Sequence, residues 1–360
     1  MKLKMLVSVL CATIFSLNLY ADTLTLRDKH PSTYIVVKGD TLWDISALFL
    51  KNPWLWPRLW QQNQQIADPH WIYPGDKLNL VWINGQPRLT TKRVLKLSPN
   101  MRLNLKEKAI TTINLSHIAA FLSRDHIIDA KLVKDAPRLV GNSTSKPRFI
   151  AGDVIYAQGQ YDKDKLYGIY RLNEPLIDPL SKENLGSQLT FIALSKISKD
   201  INVQSNAQVT AMKILKSAQE ARQGDLLLAL PEQDFLPAYF LPQAVNASIK
   251  GQLLGALNTK TKLGKWDIVI INKGRRENIK PGAMFAIMHA GPDISVDKHN
   301  IVYQKDSTVF EQIGKADITL PALRVGELMV FKTYEKTSIA IIMRSASIIN
   351  AHALIQGLDF

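Results

Sequence analysis

Cysteine is nearly absent from this chain of 360 residues: Cys11 is the single one, and it lies inside an N-terminal apolar run. Residues 1–4 (M-K-L-K) are basic, Met5 to Leu19 is apolar, and Ala21-Asp22 offers a cleavage point, which is the layout of a secretory signal peptide over residues 1–21. The run is too short and too poorly flanked for a membrane-spanning helix. Small residues of the kind expected before a lipidated cysteine do not precede Cys11. Removal of this segment leaves no thiol, hence no disulfide, no cysteine-ligated zinc and no thiol nucleophile. The expected compartment is a bacterial periplasm, with no transmembrane segment in the mature chain.

Catalytic signatures are missing too. The seven histidines (30, 70, 117, 126, 289, 299, 352) form no H-E-x-x-H and no H-x-H, so no zinc-hydrolase spacing is present. Lys273-Gly274-Arg275-Arg276 lacks the spaced glycines and the Lys-Ser/Thr end of a phosphate loop and reads as a basic hairpin tip. The nine glutamates sit in no recognisable glycosidase motif, although two carboxylates from distant loops leave an unrecognised cell-wall hydrolase as an alternative. The expectation is a non-enzyme without cofactor or metal.

Negative charge is scarce in one region. Residues 86–148 hold thirteen Lys and Arg against four acids, whereas residues 31–85 hold four of each, so most of the formal net charge of +14 lies outside the N-terminal stretch. A basic band can meet nucleic acid, anionic lipid or an acidic wall polymer. Single-strand binders interleave charge with stacking aromatics, and Phe121 is the only aromatic residue of the band. A solvated charged surface therefore fits better than a wall-anchored nucleic-acid binder, which stays as an alternative.

What the sequence does have is an ordered stretch from Tyr34 to Leu80. Tyr34-Ile35-Val36-Val37 reads as a strand stopped by Lys38-Gly39-Asp40. Thr41 with Asp44 fits a capping box, and Leu42, Ile45, Leu48 and Phe49 share one face of the helix that follows. Asn52-Pro53 ends that helix, and Pro57 suits the first turn of a second one carrying Leu59 and Trp60. Tyr73-Pro74-Gly75-Asp76 has the residues of a type II turn, and Lys77-Leu78-Asn79-Leu80 alternates like a half-buried strand. The order is strand, helix, helix, strand.

The pieces Y-I-V-V-K-G-D-T-L-W-D-I-S at 34–46, Asn63, and D-P-H-W-I-Y-P-G-D-K-L at 68–78 together resemble the LysM domain, over residues 32–82. That resemblance implies a small α+β domain (βααβ) and a partner, the N-acetylglucosamine-containing glycan of peptidoglycan and chitin. It places a groove between the loop Gly39-Asp40-Thr41-Leu42 and the loop around Pro69, His70, Ile72 and Tyr73, with Asn63 among the glycan-binding residues and no catalytic residue. The departure is Lys51 to Pro57, longer and more aromatic than the family's linker. Leu42, Trp43, Ile45, Leu59, Trp60 and Ile72 also suit a core, as do Trp54, Trp56 and Trp71 in so small a domain. Ile72 divides the two readings most sharply: an apolar wall against the sugar, or core.

Beyond it the expected plan is a basic connecting region (83–148), with short helices at Leu115 to Leu122 and Asp125 to Val133 and a linker at Gly141 to Pro147, then mainly-β domains at 149–242 and 243–360, built as small barrels or sandwiches. A device recurs in which a glycine turn feeds an apolar strand: Gly152-Asp153, Gly224-Asp225, Gly282-Ala283 and Gly326-Glu327. The phrases G-D-V-I-Y-A-Q-G, L-I-D-P with the following L-G, I-K-P-G-A-M-F-A-I and V-G-E-L-M-V-F-K-T-Y resemble, more loosely, the tail that follows the LysM domain in a group of exported proteobacterial proteins. That likeness implies the same arrangement and compartment and adds no activity. The expected role is a non-catalytic periplasmic peptidoglycan-binding protein that presents its β domains to an envelope partner.

Overall fold

The computed structural model describes residues 24–60, 72–91, 126–198, 208–230, 240–257, 260–297, 300–303 and 318–358. The signal-peptide segment, the helix expected at 115–122 and Trp71 lie outside them. The chain divides into two compact units, Met1–Thr112 with Phe360, and Ile113–Asp359.

In the first unit, strands β1 (Thr33–Ile35), β2 (Lys77–Ile83) and β3 (Gln86–Thr91) form an antiparallel sheet in that order. Helix α1 (Leu42–Phe49) buries Leu42, Trp43, Ile45, Ser46 and Phe49. Leu48, expected on the same face, is 38% exposed, because the apolar stripe turns toward Trp43 instead. Thr41 caps α1: its Oγ1 accepts the Asp44 N–H at 3.1 Å and donates to the Asp44 carboxylate at 2.7 Å. Thr41→Ala should cost about 1 kcal/mol, read as a lower thermal midpoint of this module.

The aromatic insert is core. Pro53 opens a 3-10 turn (Pro53–Leu55) that runs into α2 (Trp56–Trp60), and Trp54, Trp56 and Trp60 are buried. The segment before β1 is less polar in role than in composition: Leu24 is buried, and Leu26 pairs with Leu50 at the end of α1. β3 shows that the sheet runs past residue 82, for Leu89, paired with Leu80, is fully buried.

The described part of the second unit begins with β4 (His126–Ile128), a short helix α3 (Ala130–Asp135) and β5 (Leu139–Gly141). Of the helix expected over 125–133, the structure forms Ala130–Asp135, capped by Asp129, whose carboxylate accepts the Lys131 N–H at 2.9 Å, while residues 126–128 pair as a strand. The stretch Gly141 to Pro147 is a tight connection inside this unit rather than a linker between domains. Asn142 Oδ1 accepts the N–H groups of Thr144 and Lys146, and the chain enters β6 (Arg148–Phe149) directly.

After β6 come β7 (Val154–Gln158), β8 (Tyr167–Ile177), β9 (Asn184–Ile197), β10 (Val209–Ser217), β11 (Ala221–Arg222) and β12 (Leu226–Ala229). The sheet order is β12-β8-β9-β10-β7-β5, with β4 added on β9. Its two ends meet: Arg138 bridges Leu226, and Leu139 and Leu227 donate to Asp225 O at 2.8 Å and Pro137 O at 2.9 Å. These bonds bridge the two ends of the sheet, so that seam is not left as an open edge. Phe149, Ile155, Ile169, Ile192, Met212, Ile214 and Leu227 fill its interior.

The remaining strands are β13 (Lys250–Ala256), β14 (Lys262–Leu263), β15 (Ile268–Ile271), β16 (Met284–His289), β17 (Asp293–Asp297), β18 (Asn300–Tyr303), β19 (Ile318–Thr319), β20 (Leu323–Thr333), β21 (Ser338–Ser345), β22 (Ile349–Asn350) and β23 (Leu354–Gly357). Six of them close a barrel, β13-β15-β21-β20-β16-β23, around Leu253, Val269, Ile271, Phe285, Ile287, Leu328, Val330, Ala340, Ile342 and Ile355. Short pairs recur in both β parts: β6 with β11, and β14 with β22. The molecule is therefore a small α+β module followed by mainly-β parts, one of them a closed barrel.

The glycine device has a common physical form. Four-residue turns at Val37–Asp40, Tyr73–Asp76, Ile150–Asp153, Arg222–Asp225 and Gly264–Asp267 each close with the aspartate N–H donating to the first carbonyl at 3.0–3.2 Å. The aspartate carboxylate then accepts the N–H of the first residue at 2.7–2.9 Å. The third position has left-handed φ, from +74° to +97°, which glycine adopts without strain and which Trp266 occupies in the last copy. Gly326, expected to be such a turn, lies inside β20. A Cβ there would meet Arg344 O at 2.5 Å, so its glycine answers to close strand packing.

Candidate functional site

The first of these aspartate turns is the near loop of the expected groove, and the second starts at Tyr73, the last residue of the expected facing loop; we term them its two lips. At the first, Val37-Lys38-Gly39-Asp40, residues 37–39 are exposed and Gly39 has φ +97°. Asp40 Oδ2 accepts both the Val37 N–H at 2.7 Å and the Tyr34 hydroxyl at 2.9 Å. Burial first, and then the hydrogen bond and charge of Asp40, push the Tyr34 phenol up to about 12, so it stays a donor at any ordinary pH. At the second lip, Asp76 Oδ2 accepts the Tyr73 N–H at 2.9 Å. Val36 joins the two: its N–H donates to Asp76 O at 2.9 Å and its carbonyl accepts the Gly75 N–H at 2.8 Å.

The expected site residues separate accordingly. Gly39, Asp40, Thr41 and Leu42 are together at the first lip, but Thr41 is committed to capping and the Leu42 side chain is fully buried. Ile72 is also fully buried, which corrects the apolar wall expected there: its side chain belongs to the core, and only its backbone can face a ligand. Tyr73 is half-buried beside the second turn. Asn63, Pro69 and His70 lie outside the described residues. Tyr34, Val36 and Asp76 were not anticipated. The repetition of x-x-G-D at 37–40 and 73–76 was the available signal for Asp76, and no spacing marks Tyr34.

A Cβ on Gly39 would have open space, with no atom within 4 Å, so only the backbone opposes a side chain there. Gly39→Ala is expected to cost about 1–2 kcal/mol from left-handed strain, without a clash. A melt unchanged from the wild type would contradict that conformation.

The second basic feature is spoken for. Arg276 Nη1 meets both Glu183 carboxylate oxygens at 2.9 and 3.1 Å, its Nε meets Glu277 at 2.8 Å, and Lys336 also reaches Glu183 at 2.9 Å. Residues 273–276, expected as a hairpin tip, instead run into a 3-10 turn (Arg275–Glu277) in the connection from β15 to β16, which do not pair with each other, and this connection docks on the loop between β8 and β9. In the basic region, Arg148 pairs with Glu220 at 2.7 Å, Lys146 lies 3.5 Å from Asp153, and Arg138 donates to backbone carbonyls; residues 92–125 are outside the description. Among the described residues no group of His, Cys, Asp and Glu is arranged to hold a metal, and no helix is long and apolar enough to cross a membrane.

The first unit is thus a strand-helix-helix-strand module with a buried aromatic core and two backbone turns joined through Val36. Residues 34–81 match the model of the LysM domain, so this module is a LysM domain, a general peptidoglycan and N-acetylglucosamine binder. A stretch of 60 residues is 40% identical to the uncharacterized protein YqbP of Bacillus subtilis (strain 168), covering 14% of this chain and 27% of that protein. The chain thus spans about a quarter of the length of that relative.

Proposed function

We propose that the protein is a non-catalytic periplasmic component of the cell wall, which holds N-acetylglucosamine-containing glycan through residues 34–81 and presents its β parts to an envelope partner. The LysM match on a module whose two lips are braced through Val36 carries this reading. Backbone N–H and C=O groups at the lips suit the hydroxyls and acetamido group of a pyranose, and recognition of that kind needs no reactive group. The layout of residues 1–21 supports export.

Sedimentation of the full chain with purified sacculi tests the proposal: co-sedimentation that an N-acetylglucosamine oligomer competes away, without release of soluble fragments, is expected. Failure to sediment overturns the binding role, and released fragments overturn the non-catalytic one. Because the charge surplus lies in residues 86–148 and not in the module, sacculus retention should weaken with added salt while oligomer affinity should not.

A further inference from the structure

We propose that Tyr34 and Asp40 are positioning residues for glycan binding, holding the Val37–Asp40 lip in its binding geometry before the sugar arrives. The proposal rests on the reading of residues 34–81 as a glycan-binding module. Three facts of the fold carry it.

First, the Tyr34 hydroxyl and the Val37 N–H end on one oxygen, Asp40 Oδ2, at 2.9 and 2.7 Å. Tyr34 itself is fixed in β1, opposite the fully buried Leu78. The phenol therefore ties the end of the turn to the sheet, while the turn is otherwise closed by the Asp40 N–H to Val37 O at 3.1 Å. Second, the tie differs from those at the other turns of this type. Where a further side chain meets the aspartate of those turns it is a cation: Lys146 on Asp153, Arg171 on Asp225 and Lys260 on Asp267. At Asp40, among the described residues, a neutral hydroxyl serves instead. Third, the Val36 hydrogen bonds couple this lip to the Tyr73–Asp76 turn, so fixing one fixes the spacing of both.

Backbone groups bind a sugar well only if their directions are set in advance, since ordering them on binding subtracts from affinity. Loss of the tie should therefore appear as weaker binding by a lip that still folds. Titration calorimetry of the full chain with an N-acetylglucosamine oligomer, beside thermal melts, tests this. Tyr34→Phe is expected to bind roughly threefold to tenfold more weakly, with a less favourable entropy and a fully folded module at the assay temperature. Asp40→Ala should lose at least as much. Asp40→Asn should restore affinity, because an amide oxygen can take over both bonds of Oδ2.

Wild-type affinity in Tyr34→Phe would overturn the positioning role. So would an Asp40→Asn variant as weak as Asp40→Ala, since the carboxylate itself would then be meeting the sugar, and so would a loss that merely follows the unfolded fraction. Absence of oligomer binding by the wild-type chain would instead remove the glycan reading, and the proposal with it.

Discussion

Ile72→Asp is expected to unfold the LysM module rather than blunt its groove. The Ile72 side chain is fully buried next to the second lip. A carboxylate there would lose its hydration without gaining a cation, and an uncompensated buried charge costs about 3–5 kcal/mol or more, a large share of what a small module has in total. Ile72→Val removes a single methylene from the same place and should cost only about 1 kcal/mol. Six of the seven tryptophans of the chain lie between Trp43 and Trp82. Tryptophan emission therefore reports on this module, and in Ile72→Asp it should shift to the red while the far-ultraviolet signal of the β parts persists. Unchanged emission with lost glycan binding would return Ile72 to the groove wall.

The contrast between the two lips explains how far the sequence could be read. Gly39 and Gly75 announce their turns because the left-handed backbone at each favours glycine, and Thr41 announces its helix through a capping pattern. The β character expected from residue 149 onward is what the structure has, although β20 and β21 are buried over continuous runs rather than at alternate residues. Side-chain direction at Ile72 had no such marker, for one apolar residue before a turn fits a wall or a core equally.

Composition also misled where two structures share it. Asn142 to Lys146 is polar and small because it forms an Asx-type turn, and a flexible linker would read the same way. The helix expected over 125–133 starts later because residues 126–128 are taken up by pairing of β4 with β9.

The docking of the connection that follows β15 predicts the second large effect, in Asp178→Ala. Asp178 is 6% exposed, at the end of the L-I-D phrase. Its Oδ1 accepts the N–H groups of Leu180 and Ser181 at 2.9 Å, and its Oδ2 accepts the Asn272 amide at 2.7 Å. Asn272, itself buried, in turn accepts the Gln252 N–H at 2.7 Å, so one carboxylate links the loop after β8 to the barrel strands β13 and β15. Removing it strands a buried amide and frees two backbone donors, a loss of about 3 kcal/mol. Asn272→Ala in the Asp178→Ala background should add little more, because the two act through one bond. Burial pushes the Asp178 carboxyl up, but the hydrogen bonds of Ser181, Asn272 and Leu180 outweigh it and hold the group below the ordinary carboxylate range. The folded value is thus the lower one. Its contribution is complete above about pH 4 and is lost as acid carries the pH down through the folded value. Urea melts of the wild type and both variants at neutral and acid pH measure this. An Asp178→Ala variant within about 0.5 kcal/mol of the wild type at neutral pH, or fully additive losses, would show that the loop and the barrel are held together by other contacts.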